Sequence, residues 1–275
     1  MRPVIEKGVD MSNRAYLYSL SHRPTSFEDR PETISGLSEW AYDVPFIYRL
    51  LMSGEPQLCA SLISDGLDGT PVALYAISSP FEPGFTRVKR FTDIIKVLIA
   101  SSAEPAANEQ RAKSSSLKIM ALLRRWSGMT NDSPPRSVDA EPAVTEHLSQ
   151  WLDEAITFLE SQRNEYLLLE TIELDVMSES EPDALRGLVE TEIERCRRVG
   201  EAFKALPEDI TQAAHVLKNA AAEQQTAPLD VFFGLRFDDE CNSVPEKPLG
   251  LGWSTVLYYH LLNREQFAEA EHEQN

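Results

Sequence analysis

Cysteine is scarce in this chain of 275 residues, and its placement excludes two common site types. The three cysteines, Cys59, Cys196 and Cys241, are odd in number, and no two lie close together in sequence. This spacing predicts neither a disulfide framework nor a zinc site, both of which need cysteines in pairs or clusters. We expect buried, reduced thiols, as is usual for a cytosolic protein.

Glycine and histidine are also too sparse and too scattered to form a recognisable catalytic motif. The twelve glycines do not cluster before a helix, as a phosphate-binding loop requires, and no G-x-S-x-G turn is present. The five histidines are not spaced with one another or with cysteine as metal ligands on one helix face would be. The sequence therefore predicts no cofactor, no metal centre and no catalytic residue, and we do not expect an enzyme.

No apolar run in the chain is long enough to cross a membrane. The best candidate, "IIKVLIASSA" from Ile94, falls short of the ~20 residues that a span needs and contains Lys96. The first residues lack the apolar core of a signal peptide, and Met11 is a candidate for the natural start. We therefore expect a cytoplasmic protein that does not bind membranes.

Acidic residues, in contrast, are abundant and unevenly placed. Asp and Glu number 44 against 26 Lys and Arg, a net charge of −18. Residues 146–201 hold fifteen acidic and five basic residues, whereas residues 81–136 hold five acidic and ten basic ones. A field of this sign repels nucleic acid and attracts basic proteins, so the expected partner is a basic protein. Solubility alone is the alternative explanation of the charge.

Periodicity and composition divide the chain into three segments and predict an α+β fold. Residues 11–100 indicate a small sheet with two helices, in which "RAYLYSLS" is a strand and residues 79–100 are an amphipathic helix. Residues 101–140 are rich in Ser, Ala and Pro, which is typical of a linker or mobile loop, with a basic island "SLKIMALLRRW" inside it. Residues 141–275 predict a mainly helical, acidic segment.

The densest polar feature is the acidic run, residues 170–183, "ETIELDVMSESEPD", with six carboxylates and no basic residue. Its first half, within "YLLLETIELDV", fits either a strand or a helix, and its end fits a helix start with Pro182 in the first turn. Either conformation places the acids together in solvent. Three interpretations remain open: a solvated face with helix-start acids, a partner-binding face, or a metal or acid/base site.

A partner-binding face is the interpretation on which the functional hypothesis depends. It comprises the carboxylates of the acidic run and those of the helix that follows, and Glu192 lies among the latter. The predicted partner-binding residues are Glu170, Glu173, Asp175, Glu179, Glu181, Asp183, Glu190 and Glu194.

The stretches "MSNRAYLYSLSHRPTSFEDRPETISGLSEWAYDVPFIYRLLMSG", "LYAISSPFEPGF", "YLLLETIELD" and "FFGLRFDDEC" resemble a family of uncharacterised proteins from Gram-negative bacteria. Such proteins look similar to the immunity proteins that accompany toxins of the type VI secretion system. The resemblance implies a cytoplasmic protein that binds an antibacterial toxin, such as a nuclease, and occludes its active site.

Two other classes of function stay open beside this hypothesis. The same carboxylates could serve a metal-dependent or acid/base enzyme, or the protein could be structural or regulatory without catalysis. The sequence does not define the oligomeric state, and it does not tell whether the basic middle segment docks on the acidic one.

Overall fold

The computed structural model describes residues 13–67, 69–101, 142–237 and 248–274. The predicted linker, residues 101–140, lies outside these residues except for its first position, as do the basic island, Met11 and Cys241. Cys59 and Cys196 are buried free thiols, as expected, and burial raises the pKa of both.

The chain begins with a small sheet and two helices, which confirms the α+β prediction. The strands of this part are β1 (Arg14–Leu20), β2 (Ile34–Ala41), β3 (Gln57–Ala60), β4 (Gly66–Leu67), β5 (Thr70–Pro71) and β6 (Tyr75–Pro80). The helices are α1 (Phe46–Met52) and α2, which covers residues 81–101.

The later part of the chain is mainly helical, also as predicted. Its helices are α3 (Pro142–Ser161), α4 (Ile172–Asp175), α5 (Pro182–Lys204), α6 (Ile210–Ala222) and α7 (Arg264–Gln274), with 3-10 turns at Leu229–Phe232 and Pro248–Gly250. One strand, β7 (Tyr166–Glu170), interrupts the helices.

Strand β7 occupies the centre of the five-stranded sheet, whose order is β2-β1-β7-β6-β3. It pairs antiparallel with β1 on one side and with β6 on the other, so that Glu170 lies opposite Tyr16 and Leu169 opposite Ile77. The sheet thus combines strands from the first and the third predicted segments. A central strand is covered on both faces and therefore needs apolar side chains on both. Leu167–Leu169 provide them, and all three side chains are completely buried.

Successive side chains of β1 and β7 point to opposite faces of the sheet, so alternate residues pack into two different cores. Leu17, Leu167 and Leu169 face the larger core, which helices α1, α2, α3, α5 and α6 cover. Tyr16 and Leu168 face the smaller core, which the loop at residues 61–63 and the irregular stretch at residues 257–261 help to cover. Glu170 follows Leu168 by two positions and therefore points towards the smaller core.

Candidate functional site

The acidic run, residues 170–183, is built from three consecutive local structures. Glu170 ends strand β7, residues 172–175 form the short helix α4, and an exposed turn leads to α5, which begins at Pro182. The strand and helix alternatives for "YLLLETIELDV" are thus both realised, one after the other. Ile172–Asp175 is helical and packs Ile172 into the smaller core.

Glu170 is completely buried, so the expectation that it lies in solvent is wrong. Its carboxylate accepts hydrogen bonds from the hydroxyl of Ser61 at 2.8 Å and from the backbone N–H of Leu62 at 2.7 Å. Burial raises the pKa of Glu170 to about 7, and the two hydrogen bonds oppose that rise only in part. The residue fastens the loop at 61–62 to the central strand and is out of reach of a macromolecular partner.

Glu173 and Asp175, on α4, are half-buried and also engaged within the chain. Glu173 accepts from the hydroxyl of Tyr16 at 2.9 Å and from the backbone N–H of Arg14 at 3.1 Å. Asp175 accepts from the hydroxyl of Thr171 at 2.7 Å. Burial raises the pKa of both carboxyls, that of Asp175 to about 6. These contacts hold α4 against the sheet.

Glu179, Glu181 and Asp183 lie in solvent, as predicted. Within the described part of the chain none of the three forms a salt bridge, although α5 carries several arginines. The two residues before them are apolar and exposed, with 39% of Val176 and 57% of Met177 accessible. We refer to Val176, Met177, Glu179, Glu181 and Asp183 together as the exposed patch.

The remaining predicted residues lie along α5 and already have basic neighbours. Glu190 and Glu194 are exposed, and they pair with Arg186 at 2.9 Å and with Arg197 at 3.5 Å. Such surface pairs contribute little to stability and leave the carboxylates available to a competing cation.

Glu192 differs from its neighbours on α5 because it is only 5% exposed. It accepts from the Nε of Arg49 at 2.6 Å and from Arg195 at 2.9 Å. Its carboxylate therefore joins α5 to α1, and its predicted place on an open acidic face is wrong.

The enzyme interpretation needs a carboxylate that can exchange a proton with a substrate or a set of metal ligands. Glu170 has the raised pKa of an acid/base group, but its side chain does not contact solvent and both its oxygens accept hydrogen bonds. Across the described residues, no group of three or more His, Cys, Asp or Glu side chains is arranged to hold a metal ion. None of the helices in the described ranges is long and apolar enough to cross a bilayer.

Two features of the molecule were not predicted from sequence. One is the exposed apolar pair Val176 and Met177. Its signal in the sequence is that two hydrophobic residues stand among the polar residues of the acidic run. The other is a cavity of about 880 Å³ beside Arg30, formed by segments that are far apart in sequence.

A family described as a domain of unknown function, DUF7822, matches residues 21–126. The match covers less than half of the chain, from the loop before β2 through α2 and on to residue 126, and it leaves out β1, β7 and the acidic run. No curated protein matches this chain, and no solved structure does.

Proposed function

We propose that this chain is an immunity-type protein that acts in the cytoplasm, without catalysis, by binding and neutralising an antibacterial toxin. The observation that carries the proposal is the exposed patch: three carboxylates with no salt bridge to any described residue, beside two exposed apolar side chains. Protein interfaces combine such parts, because apolar anchors supply the affinity and charges around them supply the specificity and rate of encounter.

The partner that fits this patch is basic. Carboxylates without internal counter-charges keep their full attraction for a cationic surface, whereas Glu190 and Glu194 must first give up Arg186 and Arg197. A nuclease has a basic cleft because it must approach phosphates. The patch would occupy that cleft, with Val176 and Met177 packing against its floor, and would thereby occlude the active site. The resemblance to type VI immunity proteins supports the same partner class.

The test is rescue of bacteria from a toxin encoded beside the gene, together with binding of the purified pair. Charge reversal of the patch, Glu179→Lys with Glu181→Lys and Asp183→Lys, should lower the association rate by about tenfold or more at low salt and flatten its salt dependence. The control reverses three exposed carboxylates elsewhere, Glu223, Glu265 and Glu269, with the same change in net charge.

A second variant, Met177→Ala, should weaken binding by about 1–2 kcal/mol, mainly through faster dissociation. The proposed function fails if the wild-type protein rescues cells from none of the toxins encoded beside its gene. The assignment of the patch alone fails if wild-type rescue is seen and both patch variants bind as tightly as the control.

A further inference from the structure

A cavity of about 880 Å³ lies on the side of the smaller core, away from the helices that cover the sheet. Its wall comes from the loops at residues 27–30 and 62–65, the irregular stretch at 258–262 and helix α7. Sites for small molecules occupy about 300–1,000 Å³, so the volume suits one. Leu62, Ile63 and Phe267 give the wall an apolar portion.

Arg30 lies in this wall and is only 4% exposed. The rings of Phe27 and Phe267 flank its guanidinium, whose central carbon is 4.1 and 4.4 Å from the ring centres. The Nη1 atom donates to the backbone oxygen of Leu62 at 2.8 Å. No carboxylate of the described residues forms a salt bridge with Arg30, and burial lowers the pKa of its guanidinium. Glu170, Glu28 and Asp65 act on this charge only from a distance, without direct contact, so part of the cost of burying it is left uncompensated.

The part of the guanidinium left without partners is the part that arginine uses for carboxylates. The Nε atom is buried and has no hydrogen-bond partner, and Nη2 donates to no atom of the described chain. These two nitrogens share one edge of the planar group, and that edge matches the two oxygens of a carboxylate through parallel hydrogen bonds. Among the described residues, only Nη1 has a hydrogen-bond partner.

We propose that the cavity binds a small monocarboxylate with an apolar body, and that the guanidinium of Arg30 holds the carboxylate. The apolar body packs against Leu62, Ile63 and Phe267. Glu28, Asp65 and Glu271 also line the cavity and repel negative charge on the ligand, which disfavours phosphate and dicarboxylates more than a monocarboxylate. This site is independent of the exposed patch and of the proposed function.

The experiment is calorimetric titration of the whole chain, without toxin, with acetate, hexanoate and phenylacetate. Hexylamine and 2-phenylethylamine serve as probes of the opposite charge, and inorganic phosphate as an anion with additional negative charge. We expect affinity to rise with apolar size among the carboxylates and to exceed that for the matched amines and for phosphate. Arg30→Met should weaken binding by about tenfold or more, because the paired, charge-assisted hydrogen bonds are lost.

Because Arg30 is buried and its replacement also affects folding, a second variant leaves it in place. Ala270→Phe fills the cavity from α7 and should weaken phenylacetate binding by about tenfold as well, since the apolar body loses its space. Ala268→Phe is the matched control: it makes the same change on the same helix, at an exposed position outside the cavity, and should bind as the wild type does.

Three results would overturn the proposal. The first is the absence of binding by every monocarboxylate at about 10 mM, a concentration that detects even very weak sites. The second is tighter binding of the amines or of phosphate. The third is unchanged phenylacetate binding in Ala270→Phe. The toxin experiments are unaffected by any of these results, because they concern a different surface.

Discussion

The two halves of the acidic run have similar composition and opposite roles. Residues 170–175 hold three carboxylates that accept hydrogen bonds from Ser61, Tyr16 and Thr171 and are wholly or partly buried. Residues 179–183 hold three carboxylates in solvent with no salt bridge among the described residues. Strand β7 and α4 carry the first half into the smaller core, whereas the turn before α5 carries the second half away from it. Charge density alone therefore does not distinguish a structural carboxylate from one available to a partner.

The largest expected effect is a difference between the two halves in how much each carboxylate contributes to the free energy of unfolding. Glu170→Ala should lower the free energy of unfolding by about 4 kcal/mol at pH 6, because the hydroxyl of Ser61 and the N–H of Leu62 lose their acceptor in a buried place. Glu179→Ala makes the same chemical change in solvent and should alter the free energy of unfolding by no more than about 0.5 kcal/mol. Denaturation in guanidinium chloride measures the free energy of unfolding of both variants. Equal losses of stability would contradict the distinction between a structural and an exposed half.

Stability should also depend on pH through the buried half. The folded chain holds the proton of Glu170 up to a pKa of about 7, whereas the ordinary value of 4.5 applies when the chain is unfolded. Between these values the folded state binds more protons, so stability falls as pH rises and levels off above the folded pKa. Glu170→Gln cannot titrate and should gain about 3 kcal/mol over wild type between pH 4 and pH 8.

Denaturation at a series of pH values measures this gain, and Glu179→Gln is the control that should follow the wild-type profile. Asp175 shifts in the same direction, to a pKa of about 6, so part of the decline should persist in Glu170→Gln. A profile for Glu170→Gln that parallels wild type throughout would show that Glu170 does not hold its proton in the folded state.

The anchoring of α4 is expected to have a smaller effect. Tyr16→Phe removes the hydroxyl that donates to the Glu173 carboxylate and should cost about 1.5 kcal/mol, since hydrogen bonds to charged groups exceed neutral ones. Tyr18→Phe removes a hydroxyl that donates to the neutral backbone oxygen of Tyr259 and should cost about 1 kcal/mol.

A double-mutant cycle of Tyr16→Phe with Glu173→Gln isolates this contact from the general cost of each change. We expect a coupling of about 1 kcal/mol, and a value indistinguishable from zero would mean that the hydrogen bond does not hold α4 in place.

Local sequence patterns predicted helices and strands well where the buried side chains follow the period of a single helix or strand. The apolar stripe of the amphipathic helix α2, which includes Phe85, Val88 and Phe91, is buried, and the alternation of "RAYLYSLS" became strand β1. Helix α5 starts with Pro182 in its first turn, as its sequence indicated. Each of these predictions needs only a period of 3.6 or 2 and a terminating signal.

The position of β7 could not be predicted in the same way. Its pairing of Glu170 with Tyr16 joins residues far apart in the chain, and no local pattern encodes such a partner. The three leucines before Glu170 were compatible with a central strand, but they fit a buried helix equally. Once the strand is central, Glu170 is forced into the core, and its hydrogen bonds from Ser61 and Leu62 follow from the loop that covers it. The burial of Arg30 against Phe27 and Phe267 also arises only after folding.

The smallest expected effect on stability concerns the exposed half, and it tests most directly whether the two halves differ in role. The combined change Glu179→Gln, Glu181→Gln and Asp183→Asn should alter the free energy of unfolding by no more than about 0.5 kcal/mol. Loss of the favourable position of Asp183 at the start of α5 is offset by relief of repulsion among three neighbouring carboxylates. The same variant should bind a basic toxin more slowly and with a weaker salt dependence. A large loss of stability would mean that these carboxylates have a structural role, like those of the first half.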